Sequence, residues 1–234
     1  MIVIRKSEER GHSEKGWLNS YHTFSFADYH DTEQMGFRSL RVLNEDVVAA
    51  GKGFGAHGHR DMEIISYVVS GRLGHKDSMG HQEVLNPNEV QVMSAGTGVV
   101  HSEFNASESE PVHFLQIWIE PAKKNLPSSY QQVAFDPIEK AGRWKLLVAP
   151  EPSKGVAGVH QDASVAVATV PAGEQLSYEL LPKRHAWVQV LSGGISLNGQ
   201  EMKRGDAAAI SNLRQLTVKA NEQDASEVLL FDLA

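Results

Sequence analysis

From Leu40 onward the chain alternates short apolar or period-two runs with clusters of turn residues. The runs are Leu40–Leu43, Ile64–Val69, His81–Leu85, Val90–Met93, Val99–Phe104 and Val112–Ile119. Between them fall Ser70-Gly71, Ser78-Met79-Gly80, Asn86-Pro87-Asn88 and Ala95-Gly96-Thr97-Gly98. Short β-rich runs bounded by Gly, Pro, Asn and Ser predict strands, and hardly any segment carries a helical period. The expected fold is therefore all-β: antiparallel, jelly-roll-like barrels with few short helices. Ile2–Ile4 reads as an edge strand. Pro121 to Arg143 is polar and contains Pro121, Pro127 and Pro137, which predicts a linker.

Strands resume after that linker, and the second half resembles a worn copy of the first. Ser192-Gly193 answers Ser70-Gly71, and Ala207–Ser211 answers Val90–Ser94. Such a repeat predicts two domains, residues 1–135 and 136–234. The same register sets His57, His59, His101 and Glu103 against Glu179, Leu181, Val218 and Ala220, so the copy is expected to keep the frame without these polar groups.

Composition narrows the chemistry. With 41% apolar and 22% charged residues in 234 positions, the chain has the balance of a soluble globular protein. A net charge of −7 without a basic cluster argues against nucleic acid or an anionic membrane as partner. Small molecules and proteins remain. The absence of cysteine excludes disulfides, thiolate zinc sites and cysteine-ligated clusters, so any metal must be held by imidazole and carboxylate. Met1–Ser7 has too short an apolar run for a signal peptide, and no later segment is long and apolar enough to span a bilayer. A cytoplasmic monomer is expected, two barrels in one chain covering each other's exposed sheet.

The candidate chemistry lies between Gly51 and Asn105. His57-Gly58-His59 and His101-Ser102-Glu103 both place polar residues two apart, hence on one face of a strand. If the two strands face each other, four metal ligands converge. Neither triplet is informative alone, since His12-Ser13-Glu14 and His81-Gln82-Glu83 share the His-x-Glu form. The arrangement carries the weight: Gly51, His57-x-His59, Glu63, Gly71, then Pro87, His101 and Asn105. Gly96-Thr97-Gly98 lacks the Lys-Ser/Thr of a phosphate loop and reads as a turn. The cluster Trp17, Tyr21, Phe24, Phe26 and Tyr29, interleaved with His22 and His30, is expected to plug and pack one barrel end. His75 and His81 are expected to be solvated, and His113 a packed or surface group.

The order of residues 50–105 resembles the two cupin motifs. Trp17-Leu18, His22-Thr23-Phe24-Ser25-Phe26, Gly36-Phe37, Leu40-Arg41-Val42, His57–Glu63, Ser94–Gly98 and His101-Ser102-Glu103 together resemble the bacterial pirin family over nearly the whole chain. One departure is Gly58, where pirins usually carry proline. The resemblance implies a bicupin with metal in the N-terminal barrel only. It implies His57, His59, His101 and Glu103 as ligands, whereas the general cupin pattern offers Glu63 as the carboxylate; Glu63 is then an alternative ligand or a residue that steadies one. The metal implied is one divalent transition ion, Fe(II) first, with Ni, Cu, Mn or Zn also compatible with three imidazoles and a carboxylate.

The activity implied is quercetin 2,3-dioxygenase: oxidative ring opening of a flavonol by dioxygen, with Glu103 as the base for the 3-hydroxyl. Tyr21 and Phe24 are the aromatic residues offered for stacking on a planar substrate, although sequence does not place them at a cavity. Two other classes compete: a metal-containing, redox-sensitive module that binds a partner protein without turnover, and a cupin sugar isomerase.

Overall fold

The computed structural model describes residues 1–234. The chain is almost entirely β, its ladders antiparallel apart from one isolated parallel bridge between Ala141 and Thr169, with short 3-10 turns at Ser7–Glu9 and Pro137–Glu139. It divides into two compact units. One comprises Gly11–Phe135 and Pro150–Gln161, and the other Met1–Arg10, Asp136–Ala149 and Asp162–Ala234. A boundary falls between Phe135 and Asp136, and two segments lie outside the order of the chain: Met1–Arg10 belongs with the later residues and Pro150–Gln161 with the earlier ones. Ile2–Arg5 pairs with Ala207–Ile210 as the edge of a sheet in the second unit. Gly158 exchanges hydrogen bonds with the Gln131 side chain in the first. Local pattern marks a strand but not its partner, and the partner is set by long-range pairing.

In the Gly11–Phe135 unit, a large sheet runs in the order Ser129–Ala134, Glu89–Ser94, Glu63–Ser70, Val112–Ile119, Leu40–Val48, Leu18–His22, Gly11–Glu14. A smaller sheet orders Gly53–His59, Val99–Asn105, Leu73–Asp77, Gln82–Leu85. Leu18, Val48, Val68 and Phe114 from the large sheet pack with Leu73 and Leu85 from the small one, so the two close as a jelly-roll-like sandwich around a common core. The expected linker is partly a strand: Ser129–Ala134 pairs with Glu89–Ser94 in full register. Its proline-flanked, polar sequence hid an edge strand whose Tyr130 hydroxyl donates to Gln91 Oε1 at 3.2 Å. Gly96, in the turn before Val99, has a φ of +46°, and a Cβ there would strike the backbone carbonyl of Leu126. The turn reading of that glycine pair holds for this reason.

One inward row of the large sheet is polar across most of its width. Cross-strand neighbours run His22, Asn44, Gln116, Ser66, Gln91 and Gln132. The row beside it pairs Ser20 with Asp46. Buried polar groups need partners, and this belt is what the functional side chains of the smaller sheet meet.

The second unit repeats the plan with an apolar interior. Ala168, Val188, Ile210 and Leu230 from its large sheet pack with Ile195, Leu197, Leu216 and Val218 from its small one. Leu73 pairs with Asn105 in the first unit as Ile195 pairs with Ala220 in the second. That register aligns His57, His59, His101 and Glu103 with Tyr178, Leu180, Leu216 and Val218, one or two residues from the positions expected from sequence. Hairpin-length differences cause the slip. Leu180, Leu216 and Val218 are fully buried, so apolar core stands where the first unit carries imidazoles.

Candidate metal centre

His57 and His101 are directly opposite in the antiparallel pair formed by Gly53–His59 and Val99–Asn105. The extra residue on the Gly53–His59 strand between the His57 and Phe54 pairings makes a bulge there, the kind of irregularity that re-aims side chains beside sites. Along Val99–Asn105 burial alternates strictly, with His101 and Glu103 inward. The expected same-face relation is therefore present.

The imidazoles of His57, His59 and His101 converge, with ligand atoms all within 4.8 Å of one another. His57 Nδ1 lies 2.8 Å from the Gly55 carbonyl; donation there turns the Nε2 lone pair towards the cluster. His101 Nε2 stands 3.1 Å from His57 Nε2. Burial holds the His101 imidazole down to about 3, helped by His57, His59 and His75. Burial and His57 bring His59 down to about 4. Both rings are neutral near pH 7. Two facing nitrogens then tolerate each other only by holding a proton between them, a place a divalent cation takes with the lone pairs of all three rings. Without cysteine, the donor set fits a first-row transition ion.

Glu103 stands outside that cluster of mutual 4.8 Å contacts. Its Oε1 accepts from Ser66 Oγ at 3.2 Å and its Oε2 from Gln116 Nε2 at 2.5 Å, so the polar belt grips it from the opposite sheet. Burial pushes its carboxyl above the usual range, opposed by the Gln116 hydrogen bond. Glu63 is not brought to the histidines. It lies three residues before Ser66 on one strand and so faces the other side of the sheet. There it accepts from Ser94 Oγ at 2.8 Å and from the His160 backbone N–H at 3.2 Å. Glu63→Gln is expected to lower stability by about 1–3 kcal/mol, because a buried charge-assisted pair is weakened. Metal per chain, measured by elemental analysis, should not change; a parallel loss of metal would restore Glu63 as a ligand.

His57 and Glu103 open into a cavity of about 470 Å³ walled by Phe26, Tyr29, Phe54 and Trp118. Phe26 meets Trp118 edge-on with centroids 5.4 Å apart, and Trp118 meets His59 at 4.9 Å. Part of the aromatic segment thus lines the cavity rather than only plugging a barrel end. The stacking candidates change with it: Tyr21 stacks on His12 at 4.5 Å, Phe24 is buried, and neither lines the cavity. Trp118 and Phe54 were not singled out from sequence: Trp118 shares an alternating strand with Phe114, and Phe54 stands between two glycines.

Two further clusters form only when the strands pair. His75 is fully buried, not solvated. Its Nε2 lies 3.1 Å from Asp77 Oδ2, which His81 Nδ1 also meets at 2.9 Å, while the Tyr130 ring packs on both imidazoles. His113 is half-buried against Glu45 at 2.9 Å. Within the cavity, Asp46 accepts a very short hydrogen bond from Ser20 Oγ. Burial pushes the Asp46 carboxyl up to about 7, with Glu103 and Glu45 adding and Ser20 opposing.

That shift has a sign in stability. Below 3.8, the ordinary value of an aspartate carboxyl, Asp46 is protonated whether folded or unfolded. As pH rises towards about 7 the unfolded chain releases a proton that the folded chain keeps, so stability falls, by up to about 4 kcal/mol. Asp46→Asn carries no such loss. In denaturant titrations of metal-free protein, its advantage over wild type is expected to be present at about pH 8 and to vanish at about pH 4; an equal difference at both pH values would contradict the shift.

Comparison with known proteins agrees with this geometry. Residues 3–119 match the Pirin family, and residues 146–233 match the quercetinase C-terminal cupin domain. The chain is also 44% identical over 233 residues to a protein of Escherichia coli K12 named quercetin 2,3-dioxygenase, covering 100% of this chain and 99% of that one. The chain belongs to the pirin family. A pirin-like protein of Caulobacter vibrioides is 35% identical over 235 residues, with both chains fully covered. The crystal structure of the bacterial pirin YhhW from Escherichia coli in complex with nickel(II) superposes with a TM-score of 0.93 at 43% identity, covering 100% of this chain and 99% of that one. In this pirin, as expected from sequence, both halves have the cupin architecture. No helix is long and apolar enough to cross a membrane.

Proposed function

We propose that this pirin is a metal-dependent dioxygenase that opens the central ring of flavonols such as quercetin. His57, His59 and His101 hold one divalent ion, Fe(II) in the first instance, and Glu103 is the acid–base group beside it. The observation that carries the reading is the single cavity in which His57, buried Glu103 and four aromatic walls meet. Its volume suits a drug-sized planar ligand. A bound divalent ion would supply Lewis acidity towards the enolic oxygen and electron exchange with dioxygen.

The chain's own residues do the rest. Ser66 and Gln116 hold the Glu103 carboxylate in one orientation. Desolvation raises its proton affinity, which brings a carboxylate closer to the operating pH of a general base. Glu103 takes the proton of the flavonol 3-hydroxyl, and the neutral imidazoles keep their lone pairs for the ion. Phe26, Phe54 and Trp118 bound the planar rings and exclude water. The two ring bonds to carbon 3 break, that carbon leaves with its own oxygen as carbon monoxide, both atoms of dioxygen stay in the opened ester product, and Glu103 returns the proton to the carboxylate formed there.

Oxygen uptake on quercetin by protein reconstituted anaerobically with Fe(II) tests the reading. Uptake proportional to one metal per chain supports it. Bound metal without uptake on any flavonol overturns it and leaves the partner-binding module as the better account. Turnover of a sugar without oxygen would move the chain to the isomerases.

A further inference from the structure

Ser20, His22, Asn44 and Asp46 form a second polar cluster in the cavity that also holds His57 and Glu103. The sheet register builds it: Ser20 is directly opposite Asp46, and His22 opposite Asn44, with all four side chains on the inward face. Ser20 has one hydroxyl proton and gives it to Asp46 Oδ1. His22 Nε2, 2.8 Å from Ser20 Oγ, is then the donor to that oxygen. Burial holds the His22 imidazole below its usual value, so the neutral ring keeps Nδ1 as a lone pair. That atom is buried without a partner, and so is Asn44 Oδ1.

The internal hydrogen bonds leave acceptors over. Ser20 is the donor to Asp46, and it reaches one carboxylate oxygen only. Buried polar atoms are as a rule hydrogen-bonded, and unpartnered buried acceptors are costly. This cluster keeps several within one cavity wall. What satisfies such a wall is a proton donor. An anionic group such as phosphate or carboxylate would meet the Asp46 carboxyl and the lone pairs of His22 Nδ1 and Asn44 Oδ1, whereas a phenolic hydroxyl donates and brings an aromatic ring for Phe26 and Trp118.

We propose that Asp46, held by Ser20 and His22, is a recognition subsite for a second hydroxyl of a phenolic substrate, distinct from the hydroxyl handled by Glu103. The subsite rests on the flavonol reading of the cavity and deepens it. It makes the preference for polyhydroxylated over sparsely hydroxylated flavonols a property of the strand pair Leu18–His22 and Leu40–Val48. The upward shift of the Asp46 carboxyl agrees with a group short of donors.

The test compares quercetin with 3-hydroxyflavone, which has no hydroxyl besides the one at position 3. Dissociation constants come from quenching of tryptophan fluorescence in metal-free protein, beside oxygen uptake by the Fe(II)-loaded form. At about pH 8, above the value to which burial raises the Asp46 carboxyl, wild type should bind quercetin about 10-fold or more tighter, the worth of a hydrogen bond to a charged acceptor. Asp46→Asn should cut that ratio about 10-fold, because an amide N–H replaces an acceptor. Ser20→Ala, which releases the carboxylate from its position, should narrow the ratio in the same direction and serves if the first variant does not fold.

An unchanged ratio in the folded variants overturns the subsite, even with normal uptake. A ratio lost in the variants while wild type consumes no oxygen on any flavonol supports the subsite and removes the dioxygenase. A wild-type chain that binds neither compound overturns both.

Discussion

His101→Ala is expected to lower metal affinity by about 100-fold or more, since even residues that only orient ligands are worth 10–100-fold. Activity falls with the metal. His101 is the buried member of the triad, opposed to His57 across the strand pair with its Nε2 at 3.1 Å from that of His57. Removing it leaves two imidazoles on one strand, which is too few to hold a labile divalent ion. The measurements are metal per chain after dialysis and oxygen uptake on quercetin, with circular dichroism to confirm the fold. Full metal content in this variant would mean that the three histidines are not the ligand set. Loss of metal with uptake preserved would separate the activity from the centre altogether.

Glu103→Gln is expected to lower kcat by about 10²–10⁴-fold, the usual contribution of a positioned acid–base group. Metal per chain should be retained. The amide has nearly the same shape, and its oxygen can still accept from Gln116 or Ser66, which now hold Glu103 at 2.5 and 3.2 Å. What the amide lacks is proton affinity. Two ratios decide the outcome: turnover per metal, and metal per chain. A fall in turnover per metal assigns the proton-transfer role. Equal loss of metal and turnover assigns Glu103 to coordination only, and unchanged turnover removes it from the reaction. Gln116→Ala offers a graded companion, because it withdraws one donor from the carboxylate without touching the imidazoles.

Much of this was legible in the chain because it depends on local alternation. Period-two spacing placed His57 with His59 and His101 with Glu103, and turn residues divided the strands. That the second half lacks the ligand set was visible in Glu179, Leu181, Val218 and Ala220 at the expected positions, although the register was off by one or two positions. Readings that failed did so where pairing, not pattern, decides. Ser129–Ala134 is polar because it is an edge strand. His75 is buried because Asp77 and Gln91 lie beside it, the latter with its Nε2 3.4 Å from His75 Nδ1.

Composition and spacing were enough for an all-β fold in two repeated halves and for three histidines able to hold a metal without sulfur; that the halves are cupins was implied by the pirin resemblance. They could not rank Glu63 against Glu103, since both sit at strand positions compatible with a ligand. Sheet register ranks them. Glu63 is an odd number of residues from Ser66 and turns to the face where Ser94 and His160 meet it, whereas Glu103 turns inward onto Ser66 and Gln116. The cavity has the same origin. Phe26, Phe54 and Trp118 lie far apart in sequence and become one wall only when two sheets close over a polar row that each strand supplies one residue at a time. A strand's own sequence records which side chains share a face; which face meets which is a property of long-range pairing, and the chemistry of this protein is assembled there.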